Sequence, residues 1–213
     1  MFILPYLLFS AQAGALADRH DKARLIRWTK SAEFALMLAG AASLRWGGPL
    51  AMLGVLAGLG VQAAFFGPLK YGILPQLLPA ALLLRGNALV EAASFVAILL
   101  GSAGGGLAAA HGPGVTAALC LAASLGGLVA AARLPPAPST AAPPPLAPTL
   151  APAAPGPGWL PLAGLGALLG RVRARPEIWR ATLGISWFWS FGAVILAELP
   201  VLAVREWGGD GRV

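Results

Sequence analysis

The chain has 213 residues, of which 58% are hydrophobic and only 11% are charged. Soluble domains carry about a quarter charged residues, so this composition excludes a soluble domain and indicates a membrane protein. The net charge of +7 comes from basic residues clustered in loops, which is typical of membrane orientation and not of a nucleic-acid-binding face.

Two apolar segments joined by a short basic loop begin the chain. We predict the first membrane span at residues 2–17 and the second at residues 31–44. A signal peptide is the alternative for the first segment, but no basic residue precedes it. The positive-inside rule places the intervening loop in the cytoplasm because of its cations, which are Arg19, Lys22, Arg24, Arg27 and Lys30.

The middle of the chain contains three more predicted spans, at residues 50–66, 87–107 and 115–132. Gly54 and Gly58, with Gly40 on the preceding span, predict close packing between helices. Three prolines, Pro68, Pro75 and Pro79, predict a broken segment over residues 67–75 and then a cytoplasmic loop that ends near Arg85.

The composition changes again after residue 132. Residues 133–158 are rich in Pro and Ala and predict a cytoplasmic linker. Residues 159–176 predict an amphipathic helix on the inner surface, and residues 177–213 a sixth span with an outer tail. The fold class is therefore an all-α, polytopic membrane bundle of about six helices, with its basic loops on the cytoplasmic side.

Glu91 is the most informative polar residue, because a carboxylate within an apolar span usually faces a bundle interior or an aqueous path. Helical spacing places Asn87, Glu91 and Ser94 on one face. Two interpretations remain open: a lining for a substrate head group or a proton-linked site, and a structural ion pair with Lys70 or Arg85.

Other polar and aromatic residues also have two interpretations. Lys70, next to Tyr71, binds a lipid phosphate or anchors its helix at the interface. Trp187 and Trp189 line a path for an acyl chain or pack against lipid. Glu33, three residues after Lys30, is predicted to form a local ion pair. We find no catalytic set and no metal-ligand cluster, so the sequence predicts neither an enzyme nor a bound cofactor.

Two sets of motifs resemble a known superfamily. Residues 14–24 resemble the Gly-x-x-Ala-Asp-Arg-x-Gly-Arg/Lys-x-Arg loop of major facilitator transporters, with Asp21 in place of the usual glycine. Residues 23–27, 66–75, 86–91 and 185–193 resemble the lysophospholipid transporter branch. This branch also occurs as the amino-terminal module of fused acyltransferase and acyl-carrier-protein synthetase proteins.

The resemblance implies a twelve-helix transporter of two halves, of which this chain corresponds to helices two to seven. Residues 1–132 would be part of the first half, and the partners would be membrane lipids and the remaining helices or a downstream acyltransferase domain. The implied activity is movement of lysophospholipids across the bacterial inner membrane by alternating access. The alternatives are the membrane module of a fused acyltransferase and an inactive truncated product. The implied gating loop comprises Gly14, Asp18, Arg19, Lys22 and Arg24.

Overall fold

The computed structural model describes residues 3–136, 166, 169–170 and 172–206, and every regular element within them is helical. The helices are α1 (Ile3–Arg19), α2 (Lys22–Trp46), α3 (Pro49–Gly72), α4 (Leu74–Leu77), α5 (Leu83–Ala110), α6 (Pro113–Ala132) and α7 (Pro176–Glu206), with a 3₁₀ turn at Ala80–Leu82. The all-α class is confirmed. Most of the predicted linker and most of the predicted interfacial segment lie outside the described residues.

Three of the described helical segments are long and apolar enough to cross a membrane. They are Pro49–Leu77, Ala80–Ala110 and Pro113–Ala132. Helix α1 has 17 residues, slightly fewer than the ~20 that a spanning helix needs. The first 12 residues of α2 carry five charged side chains: Lys22, Arg24, Arg27, Lys30 and Glu33. The chain is therefore an all-α membrane protein, while six spans remain a prediction.

The basic loop predicted between the first two spans is wrong in extent, because most of its residues are helical. Only His20 and Asp21 separate α1 from α2. Asp21 is the N-cap of α2, and its carboxylate accepts a hydrogen bond from the Arg24 backbone N–H at 3.1 Å. This bond satisfies one of the free N–H groups at the start of a helix, so α2 can begin directly after Asp21. The cations from Lys22 onward therefore project from a helix.

The broken segment predicted at residues 67–75 is present only in its later part, where Ile73 separates α3 from α4. Helix α3 continues through Pro68 to Gly72. Pro75 lies in the first turn of α4, where the missing proline N–H costs nothing. The chain becomes extended only at Leu78 and Pro79, and α5 then begins before Arg85. Lys70 and Tyr71 consequently belong to the last turn of a long helix.

Within the unit formed by residues 1–157, α2 packs along both α3 and α6, α1 packs along α3, and α5 packs against α6. The buried cluster at the ends of these helices consists of small and medium side chains: Ala17, Ala23, Ile26, Leu69, Ile73 and Ala131. Small residues let helix backbones approach closely in a membrane, where lipid is as apolar as the protein core. This cluster fixes the end of α3 on which Lys70 and Tyr71 lie.

The predicted glycine contacts between α2 and α3 are only partly present. A methyl group added at Gly58 would lie 2.7 Å from Leu36 Cδ2, and one added at Gly40 would lie 3.4 Å from Val55 Cγ1. An added methyl at Gly54 would meet no atom within 4 Å. Gly58 and Gly40 therefore lie at the contact between α2 and α3. The prediction that Gly54 lies at this contact together with Gly58 is wrong.

We expect Gly58→Val to destabilise the packing of α2 on α3 by about 1–3 kcal/mol, the usual cost of overpacking a close contact. The matched control is Gly54→Val, which adds the same side chain to the same helix one turn away at an open position. Unfolding in mixed detergent micelles, followed by circular dichroism, measures both. Equal losses of stability in the two variants would show that helix propensity, not packing, causes the effect.

Candidate functional site

Four polar side chains from two helices meet at one place in the amino-terminal unit. Lys70 and Tyr71 come from the last turn of α3, and Glu91 and Ser94 come from α5. The Tyr71 hydroxyl donates a hydrogen bond to Glu91 Oε2 at 2.5 Å, and Lys70 Nζ lies 3.9 Å from the same oxygen. We call these four residues the α3–α5 cluster.

Further contacts hold the lysine in this cluster. Lys70 Nζ donates to Ser94 Oγ at 3.3 Å, and the Ser94 hydroxyl donates in turn to the Val90 carbonyl at 2.7 Å. The ammonium group also lies 4.6 Å from the centroid of the Tyr71 ring, within the range of a cation–π contact. The lysine head is thus held by an anion, a hydroxyl and an aromatic face.

The ion pair is accessible, because the side chains of Lys70 and Glu91 are 27% and 37% exposed. At 3.9 Å the pair is longer than a direct charge-assisted hydrogen bond of about 2.8 Å. A ligand can therefore reach both charges without breaking a tightly buried contact. The cluster presents one cation suited to a phosphate and one anion suited to an ammonium group.

The depth of the cluster follows from its position along the helices. Glu91 lies eight residues after the start of α5 at Leu83, which is about 12 Å along the axis at 1.5 Å per residue. Lys70 and Tyr71 lie at the end of α3 that the charge pattern assigns to the cytoplasmic side. Glu91 is therefore nearer the middle of α5 than its start, whereas Lys70 and Tyr71 lie at the predicted inner end of α3.

The remaining predicted substrate-path residues are Asn87, Trp187 and Trp189. Asn87 is exposed on α5, one turn before Glu91. The ion pair that Glu91 forms in the described residues is with Lys70, not with Arg85. Trp187 and Trp189 are exposed on α7, which belongs to a separate unit of the chain.

The predicted gating residues lie around the turn between α1 and α2. Asp18 and Arg19 are exposed at the end of α1, Gly14 is half-buried, and Arg24 is exposed on α2. The Lys22 side chain passes close to the end of α3, since a methyl group added at Gly72 would lie 3.2 Å from Lys22 Cε. Their gating role stays a prediction.

A second polar group, between α2 and α3, was missed in part by the sequence interpretation. The predicted Lys30–Glu33 ion pair is confirmed, with 2.8 Å between Nζ and Oε2. Gln62 Nε2 of α3 donates to the same oxygen at 2.8 Å, and Lys30 Nζ lies 4.5 Å from the Phe66 ring centroid. The available signal was the single amide of Gln62 within the apolar sequence of α3.

Curated relatives match this chain over almost its whole length. It is 35% identical over 211 residues to the lysophospholipid transporter LplT of Escherichia coli O7:K1 (strain IAI39 / ExPEC) and to that of Escherichia coli strain K12 / DH10B. Each alignment covers 96% of this chain and 47% of the relative, so the chain spans about half the length of these proteins. No protein-family model and no solved structure matches it.

Proposed function

We propose that this chain, a homologue of the lysophospholipid transporter branch of the major facilitator superfamily, takes part in moving lysophospholipids across the bacterial inner membrane by alternating access. The observation that carries this proposal is the α3–α5 cluster, in which a partly exposed cation and anion lie 3.9 Å apart. The names of the curated relatives support the substrate class and favour a transporter over the acyltransferase-module alternative.

The head group of lysophosphatidylethanolamine carries one anionic phosphate and one ammonium group. In the proposed complex Lys70 binds the phosphate and Glu91 binds the ammonium, so each protein charge exchanges its internal partner for one on the ligand. Lys70 and Glu91 each keep a partner of opposite charge, and both charges of the ligand gain one. This pairing lowers the free-energy cost of bringing a zwitterion into an apolar bundle. Tyr71 and Ser94 orient the two charged side chains.

The rest of the substrate has simpler requirements. An acyl chain is as apolar as the surrounding lipid and needs no polar support. Asn87 adds an amide one turn before Glu91, and Trp187 and Trp189 provide apolar surface for the acyl chain. In the alternating-access cycle, two helical halves rock about the site. The gating residues Gly14, Asp18, Arg19, Lys22 and Arg24 then hold the inner helix ends in one state.

The direct test is uptake of labelled lysophosphatidylethanolamine into vesicles. Vesicles with this chain are compared with vesicles with a chimera that continues it with the remaining part of the Escherichia coli relative. We expect transport by the chimera, because alternating access requires two halves. Transport by the present chain alone would contradict the requirement for two halves, and no transport by either would contradict the substrate assignment.

A further inference from the structure

The surface of α2 carries a second group of polar and aromatic side chains, apart from the α3–α5 cluster. Arg24, Arg27, Trp28 and Ser31 line an open depression of about 340 Å³, which we call the α2 pocket. These residues follow the spacing i, i+3, i+4 and i+7, so they lie on one face of the helix. Trp28 is 67% exposed.

The charges of the α2 pocket suit an anion. Arg27 Nη1 donates to the Leu134 carbonyl at 3.2 Å, which fixes its guanidinium group, and a guanidinium has further N–H groups to donate. Arg24 is exposed one turn earlier. The Ser31 hydroxyl donates to the Arg27 carbonyl at 3.0 Å, so the available donors are the two arginines and the Trp28 indole N–H. Among the described residues, no acidic side chain lines the depression.

The same face of α2 becomes apolar beyond the pocket. Ala35, Leu38 and Ala42 follow Trp28 and Ser31 at the same helical spacing, and all three are exposed. A basic, tryptophan-containing patch in line with an apolar stripe matches a molecule with an anionic head and a hydrocarbon chain. Basic pockets at the cytoplasmic ends of membrane helices bind anionic lipid head groups.

We propose that the α2 pocket binds the phosphate of an anionic phospholipid, whose acyl chain lies along the apolar stripe of α2. This site is separate from the proposed transport site, which lies on α3 and α5. Its occupant is a resident membrane lipid with a net negative charge, whereas the α3–α5 cluster pairs with a zwitterion.

The test uses the full chain purified in detergent and measures retained lipid by native mass spectrometry after addition of phosphatidylglycerol or phosphatidylcholine. We expect preferential retention of phosphatidylglycerol, and an affinity about tenfold lower for Arg24→Gln, which removes one charge-assisted contact. The matched control is Arg45→Gln at the opposite end of α2, where Arg45 lies 5.8 Å from the Trp46 ring centroid. That variant also removes an arginine charge next to a tryptophan, but outside the α2 pocket, so lipid retention should not change.

Three results would overturn the proposal. They are equal retention of the two lipids by the unmodified chain, equal losses in the Arg24 and Arg45 variants, and displacement of the lipid by millimolar inorganic phosphate. The last result would identify the pocket as a site for the phosphate ion alone. Lipid retention in detergent does not depend on transport, so failure here leaves the uptake experiment unaffected.

Discussion

Glu91→Gln should lower the uptake of lysophosphatidylethanolamine by about tenfold, the effect of losing one charge-assisted contact at a partly exposed site. Uptake of lysophosphatidylglycerol should change little, because its head group has no ammonium for Glu91 to bind. Glutamine keeps the size of the side chain and an oxygen that can accept from the Tyr71 hydroxyl. The measurement is competitive uptake of the two labelled lipids by the chimera described above.

Lys70→Gln should lower the uptake of both lipids, because both carry the phosphate that Lys70 is proposed to bind. Arg85→Gln is the matched control, since it removes a cation from the start of α5 that does not form the ion pair with Glu91. Equal reductions for the two lipids in Glu91→Gln would assign Glu91 a structural role as the partner of Lys70. A loss in Arg85→Gln as large as that in Lys70→Gln would indicate a general effect of surface charge.

The sequence predicted the members of this site better than their arrangement. An acidic residue in an apolar helix is informative by itself, and helical spacing placed Ser94 on the same face as Glu91. Spacing could not decide between Lys70 and Arg85 as the partner, because the answer depends on where α3 ends. Pro68 suggested an early break, but the helix continues to Gly72 and carries Lys70 into contact with α5.

The features that the sequence patterns did not predict depend mostly on contacts between side chains of different helices. The Lys30–Glu33 pair lies within one helix and follows from a spacing of three residues. The contact of Gln62 with Glu33 depends on the register between α2 and α3, which is set by close approaches such as that of Gly58 to Leu36. Similarly, a capping side chain at Asp21 decided that the cations following it are helical.

This Lys30–Glu33–Gln62 group gives the second large expected effect, on stability. Lys30→Met removes the cation that pairs with the Glu33 carboxylate at the contact between α2 and α3. Breaking a fully buried ion pair in this way lowers the free energy of unfolding by about 3–5 kcal/mol. The two side chains here are 20% and 18% exposed, so we expect a loss of about 2 kcal/mol. Gln62→Leu removes one hydrogen bond to the carboxylate and should cost about 1 kcal/mol.

The double variant Lys30→Met/Glu33→Leu should be more stable than Lys30→Met alone, because it removes the unpaired charge together with its partner. The free energy of unfolding in mixed detergent micelles, measured for Lys30→Met, Glu33→Leu and the double variant, gives the coupling energy directly. Additive losses would show that the two side chains act independently. A large coupling would instead show that the two charges of α2 stabilise each other, as the 2.8 Å between Lys30 Nζ and Glu33 Oε2 indicates.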